Sequence, residues 1–509
     1  MNRNTAYRRV IATLALLFAV PAAAQTVMTR SGAVSGVTQT GVTAFKGIPY
    51  AAPPVGPLRW RPPRPPASWK GVRAASEPGP ACMQPVLPGE DRGSNPAISE
   101  DCLYLNIWRP TVATAKAKRP VMVWIHGGGF YFGTGARATY DGASLARDGL
   151  IIVTLNYRLG RFGWFAYPEL TKEGGKAGTG NFGLMDDIAA LKWVRANIAA
   201  FGGDPANVTI FGESAGGVAV NALMTIRAAR GLFAKAITQS GFGRVPPQPL
   251  TTAEQTGSAF ARSAGVADLA ALRKLPAAAV LGPEEVRYAP LEGPWPILDG
   301  KLITASVEQI FAAGNEAKVP WMVGSNDFEA SLFPGRLANP DAALEDLPPP
   351  LRDTMITLYD PTHSGDKKAV VAGMITDRLL TEPARFLAAS HARSGQPVYR
   401  YLFGYVPEAE RGSILGAPHA SELAFVFNNL GTSQGSPLKY TGADENTAAA
   451  MSRYWTNFAR NGDPNGTGLA SWPRDSDDRI LVFDATGQHA EHALKQPQLD
   501  RLARLAAAP

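Results

Sequence analysis

Two cysteines and six histidines are all that 509 residues contain. A chain so poor in both is neither a disulfide-dense miniature scaffold nor a Cys/His metal cluster, and it carries no His-Glu-x-x-His pair. Charged residues are also sparse, at 18% against 45% hydrophobic, which excludes a disordered, solvating chain. The formal net charge of +7 is not gathered into a basic stripe interleaved with aromatics, and Arg3, Arg8 and Arg9 at the N-terminus supply part of it. Nucleic acid is therefore not an expected partner. Repeats, heptads and long low-complexity tracts are missing, and no apolar run reaches the ~20 residues of a membrane-spanning helix. What remains is the composition of a globular enzyme, expected to form one catalytic domain.

The N-terminus is laid out as a secretory signal. Basic residues precede an apolar run from Val10 to Val20, broken only by Thr13, and Ala22-Ala23-Ala24 offers small residues before Gln25. Residues 1–24 are thus expected to be a signal peptide and 25–509 the mature domain, exported to the periplasm or the medium, without stable membrane insertion. In an oxidising compartment the even pair Cys82 and Cys102 reads as one disulfide closing a short loop.

Past an irregular, proline-rich surface run from Pro53 to Pro66, short apolar bursts alternate with helix-like stretches. Val121–Ile125, Ile151–Leu155 and Val208–Phe211 suit strands buried on both faces, and Val319–Val323 and Val398–Phe403 look like further ones. Between the second and third, Asp186 to Phe201 places Ile188, Leu191, Val194 and Ile198 at helical spacing, with acids at its start and Gly202-Gly203 as its stop. Met451, Trp455 and Phe458 share one face of a C-terminal helix. Such alternation predicts an α/β fold with a mostly parallel sheet, its insertions lying chiefly in 240–400.

Gly212-Glu213-Ser214-Ala215-Gly216 follows a strand and opens a helix. Flanking glycines permit the tight turn of a nucleophile elbow, which lifts a serine hydroxyl clear of the sheet's edge. His126-Gly127-Gly128-Gly129-Phe130 ends another strand, and the amides of Gly128, Gly129 and Ala215 are the expected oxyanion hole. The serine needs a base that follows it in the chain, which excludes His126. His363 and His391 sit in the poorly patterned insertion, and His489 and His492 lie near the C-terminus. His419, a loop beyond the strand 398–403, is the expected base. The acid must lie between serine and base and follow a strand. Glu329 meets this, with Asp327 on the same loop and Asp299 as other candidates, although Asp299-Gly300 reads more naturally as a turn. Gly178-Thr179-Gly180-Asn181-Phe182-Gly183 satisfies a dinucleotide pattern, yet it follows the polar run 171–177 and not a strand, so no cofactor is expected there.

Taken with Phe45–Tyr50, Glu100–Asn106, Gly180–Asp186, Phe201–Pro205, Gln239–Gly241, Asp299-Gly300, Gly324–Glu329, Phe458–Pro464 and Trp472-Pro473, these motifs make the chain resemble the type-B carboxylesterases, the group that includes bacterial para-nitrobenzyl esterases and the cholinesterases. The resemblance covers most of the mature chain. It implies an α/β-hydrolase fold, a Ser214-Glu329-His419 triad, an oxyanion hole of Gly128, Gly129 and Ala215, the family's first disulfide at Cys82 and Cys102, and hydrolysis of small to medium esters without cofactor or metal. The chain departs from the pattern at Ala330, where a glycine often follows the acid, and in lacking the further cysteines of the animal members. A non-catalytic adhesion module of the same fold should lack the serine or the histidine, and this chain keeps both. An amidase would differ only in its pocket and in leaving-group protonation.

Overall fold

Apolar β-branched bursts become the middle of a large sheet. In the computed structural model, residues 25–86, 91, 93–112, 114–282, 293–432 and 438–507 are described, so the signal peptide read at 1–24 lies outside the described residues. The strands are β1 (Gln25–Met28), β2 (Ala33–Gln39), β3 (Val42–Pro49), β4 (Val72–Ala74), β5 (Tyr104–Pro110), β6 (Arg119–Ile125), β7 (Ile151–Leu155), β8 (Gly203–Glu213), β9 (Lys235–Gln239), β10 (Trp321–Asn326), β11 (Val398–Phe403), β12 (Arg479–Asp484) and β13 (Gly487–His492). Their order is β1-β2-β3-β5-β7-β6-β8-β9-β10-β11-β12-β13, with β4 beside β2. From β7 to β12 every neighbouring pair is parallel, and antiparallel strands extend the sheet at both ends.

The continuous hydrophobicity of the central strands follows from their two covered faces. Val121, Val123 and Ile125 of β6 join one apolar cluster while Met122 and Trp124 join the cluster on the opposite face, and Ile210 and Phe211 of β8 divide the same way. Fully burying each such side chain contributes about 1.5–3 kcal/mol, so the middle of the sheet is where the fold is anchored.

The principal helices are α1 (Phe182–Asn197), α2 (Ala215–Thr225), α3 (Val307–Ala312), α4 (Lys367–Thr376), α5 (Glu382–Ala392) and α6 (Gly442–Asn461). Helix α6 buries Met451, Trp455 and Phe458 as its spacing predicts, starts at a Thr441/Asp444 capping box and stops at left-handed Gly462. Helix α1 differs from the expected 186–201. It starts four residues earlier, at Phe182, and residues 198–201 tighten into a 3-10 turn. Asp186 is not an acid of the first turn; it lies fully buried and takes a bidentate contact from Arg158 at 2.7 Å. Strand β10 runs on to Asn326, past the apolar stretch 319–323, because its polar end turns into the site. The proline-rich run is not wholly superficial either, since Trp60 is buried and stacks on Phe165.

Candidate active site

Five loops at the carboxyl ends of β6, β8, β9, β10 and β11 meet at one point on the sheet edge. Ser214 sits where β8 gives way to α2, at φ 55° and ψ −122°. A non-glycine residue held there stores about 1–3 kcal/mol of strain, which persists only because its surroundings over-determine it. The Ser214 amide donates to Gln239 O at 3.0 Å, tying the elbow to β9. A Cβ at Gly216 would meet Ile125 O at 2.0 Å, so glycine is required for α2 to start so close to β6.

The glycine loop after β6 folds against this elbow. Gly128 and Gly129 adopt φ 99° and 60°, and the carbonyl of Gly128 accepts from Tyr131 and Phe132. The amides of Gly128, Gly129 and Ala215 donate to no other group among the described residues. His126 is buried, stacked on Tyr157, and pushed down to about 3 by burial, which suits a packing residue and not a base.

His419 and Glu329 are brought together by two zipped loops. Phe328 N donates to Ala417 O, His419 N to Ser331 Oγ, and Asn326 Nδ2 to Pro418 O at 2.7 Å. His419 Nδ1 then lies 2.5 Å from Glu329 Oε2. The other Glu329 oxygen accepts from Ser240 Oγ at 2.5 Å and Asn326 N at 2.8 Å, so this fully buried carboxylate is saturated. Asp327 faces away, accepting from Ala417 N beside Gly404 and Gly416, and burial pushes it up to about 6. Asp299 anchors a turn, as its Gly300 neighbour suggests, and receives Thr179 N from the Gly178–Gly183 segment. That segment packs the turn and leads into α1 at Asn181, whose side chain does not cap the helix but exchanges two hydrogen bonds with Ile297. Ala330 fits without strain, its methyl buried among Leu337, Val370 and Val371.

The remaining histidines stand elsewhere. His391 is buried between Glu316 and the carbonyl of Val319, His363 is exposed, and His489 and His492 lie on β13.

Three polar residues of the site carry no role in the sequence reading. Ser240 holds Glu329. Glu213, inside the elbow motif itself, places Oε1 2.9 Å from His419 Nε2, off the axis of a hydrogen bond. Glu422, three residues past His419, accepts from Gln239 Nε2 and Asn326 Nδ2, and burial with the Glu213 charge pushes it up to about 7. Burial alone would lower His419, but Glu213 and Glu329 outweigh it and hold the imidazole well above its ordinary value. His419 Nε2 accepts no hydrogen bond from Ser214 in this arrangement, and no group of three or more His, Cys, Asp or Glu that could hold a metal ion occurs among the described residues.

The sequence profile of the carboxylesterase family matches residues 23–502. The chain belongs to the carboxylesterase family. It is 39% identical over 483 residues to a fumonisin B1 esterase of Sphingopyxis macrogoltabida, covering 90% of this chain and 86% of that one. With a para-nitrobenzyl esterase of Bacillus subtilis the identity is 39% over 467 residues, covering 88% and 92%. Among solved structures, a para-nitrobenzyl esterase superposes with a TM-score of 0.81 at 35% identity, covering 95% of this chain and 99% of the other. A carboxylesterase of Geobacillus stearothermophilus gives the same score and identity, covering 95% and 100%. The fold is that of the α/β-hydrolases, and the carboxylesterase is a serine hydrolase of carboxylic esters. The disulfide between Cys82 and Cys102 is formed, and no helix among the described residues is long and apolar enough to cross a membrane.

Proposed function

We propose that this carboxylesterase works through an acyl-enzyme on Ser214, with His419 as general base, Glu329 as its orienting acid and the Gly128, Gly129 and Ala215 amides as oxyanion hole. The observation that carries this is the Glu329-His419 contact set beside a serine at a strained strand-to-helix turn. Ser214 Oγ bonds to the ester carbonyl carbon as its proton passes to His419 Nε2, and the carbonyl oxygen takes the negative charge toward the three free amides. The imidazolium so formed lies between Glu329 and Glu213, two carboxylates that favour its charge. It returns the proton to the departing alkoxide, and water repeats the sequence on the acyl-enzyme to release the acid. The absence of a Ser214-His419 hydrogen bond fits a resting enzyme, since catalytic contacts often tighten only with substrate bound.

Small to medium carboxylic esters are the substrates this reading assigns. An amide would need the same groups but a stronger proton donor for its leaving amine, so matched para-nitrophenyl esters and anilides separate the two. The buried disulfide supports export to an oxidising compartment.

The decisive experiment pairs Ser214→Ala with an organophosphate label. The variant should lose three or more orders of magnitude in turnover, keeping only the contribution of binding and the oxyanion hole. Label recovered on any other residue refutes the assignment.

A further inference from the structure

Three residues past Gly241, the chain makes a charged clamp that the chemistry above does not use. Arg244 gives Nε and Nη2 to the two oxygens of Glu382 at 2.8 and 2.7 Å, and Nη1 to Glu308. Its guanidinium lies 3.8 Å from the centroid of the Phe386 ring. The loop after β9 is thereby tied to α3 and α5 at once. Gly243 lies against α5 so closely that a Cβ there would meet Leu387 at 2.3 Å.

What this clamp fixes is Phe242. Its backbone is held at φ 42°, a conformation a phenylalanine avoids when free. The ring is buried, 6.4 Å from the imidazole of His419 and 6.3 Å from Trp295, which in turn lies 6.0 Å from Phe130 of the glycine loop. These aromatics form one wall beside the imidazole. The acyl group stays on Ser214 after the alcohol has gone, so a wall fixed beside the imidazole faces it through both halves of the reaction. Beneath Phe242 and Trp295 lies a cavity of about 20 Å³, lined by Val218, Asn221, Ala222 and Thr225 down the length of α2. Removing the Phe242 ring would join that void to the site.

The helix behind the clamp is itself irregular. Residues Asp377–Thr381 form a π-turn between α4 and α5. A residue added to a helix turns everything after it by about 100°, and Glu382 is the first residue after this turn. Before that turn, Thr376 Oγ1 accepts from Ala330 N, next to Glu329. One helical run thus braces both the acid loop and the Phe242 loop.

We propose that Arg244 is a positioning residue for acyl selection: by pinning the Phe242 loop to Glu382 and Glu308, it keeps the aromatic wall in place and restricts the enzyme to short acyl groups. This rests on Ser214 as the nucleophile. The test measures kcat/KM for para-nitrophenyl octanoate relative to acetate, with active sites counted by organophosphate labelling. Phe242→Ala should raise that ratio about tenfold or more, the scale set by a pocket gaining room for methylenes. Arg244→Met, which keeps a stem over Phe386, should raise it at least about threefold, and Arg244→Lys should recover part of the change. Glu382→Gln, isosteric and free of the folding risk of a lost cation, should move it the same way. In the Phe242→Ala background, Arg244→Met should add nothing, because the wall it holds is gone. Equal losses on both esters, or the same shift with and without the ring, overturn the clamp. A wild-type chain that takes no label at Ser214 refutes the acyl-enzyme reading and the proposal with it.

Discussion

Glu213 Oε1 lies 2.9 Å from His419 Nε2, on the ring edge opposite the one that Glu329 occupies. An imidazole between two buried carboxylates gives up its proton late. Activity requires the neutral base, so the acid limb of the pH profile should lie above the ~6.5 of an unperturbed histidine. Glu213→Gln keeps the shape packed against Gly127 but removes one charge. The limb should then move to lower pH, and turnover on the plateau should fall, because the imidazolium formed during attack loses one of its two stabilising charges. An unmoved limb would show that Glu213 does not act on His419.

Cys82 and Cys102, both buried, are joined across twenty positions. Closing a loop of that size stabilises by about 3 kcal/mol in the chain-entropy model. The closed loop leads into Gln84, which holds Gly133 just past the glycine loop through two hydrogen bonds. Reduction or a double Cys→Ser variant should lower the melting temperature while kcat at low temperature stays close to wild type. Two titratable thiols in the non-reduced protein would contradict the pairing.

Much of this was open to reading from residues alone, and the division has a physical basis. Ser214 and the glycine loop are contiguous motifs whose backbone demands are written locally as glycines. Chain order and strand position lead to the His419 loop and to the loop that carries both Asp327 and Glu329, without choosing between those two acids. Ser240 and Glu422 do not, because their roles exist only where β9, β10 and the His419 loop converge. Asp186 misleads for the same reason: an acid near a helix start looks like a dipole partner until Arg158, 28 positions earlier, is folded against it. Phe242 gives no signal at all, since nothing in an aromatic residue announces a positive φ.

Burial with the Glu213 charge pushes Glu422 up to about 7, and burial pushes Asp327 up to about 6. Each keeps a proton in the folded chain at a pH where the unfolded chain has lost it. The stabilisation is therefore complete below the ordinary carboxyl value, 4.5 for Glu422, and is lost as pH rises through the folded values. His419, raised as well, adds loss in the same direction at higher pH. Denaturant unfolding should show lower stability at pH 8 than at pH 5, and Glu422→Gln should shrink the difference. A variant with the full wild-type difference would remove Glu422 from the account.

The acid of the proposed triad is best tested against its neighbour. Asp327 and Glu329 share one loop, Glu329 fully buried and Asp327 partly so, and both lie between Ser214 and His419 in the chain, so sequence order cannot choose between them. Geometry favours Glu329, whose Oε2 meets His419 Nδ1 while Ser240 and Asn326 hold its other oxygen. Asp327 instead receives Ala417 N and helps set the path of the histidine loop. Glu329→Gln should keep the fold yet cut turnover by up to about 10⁴, because an amide in that place leaves the imidazole in the wrong tautomer. Asp327→Asn, which can still accept from Ala417, should cost far less and act mainly on stability. Measured side by side on one ester, a greater loss in Asp327→Asn would move the role to Asp327 and leave Ser214 and His419 in theirs.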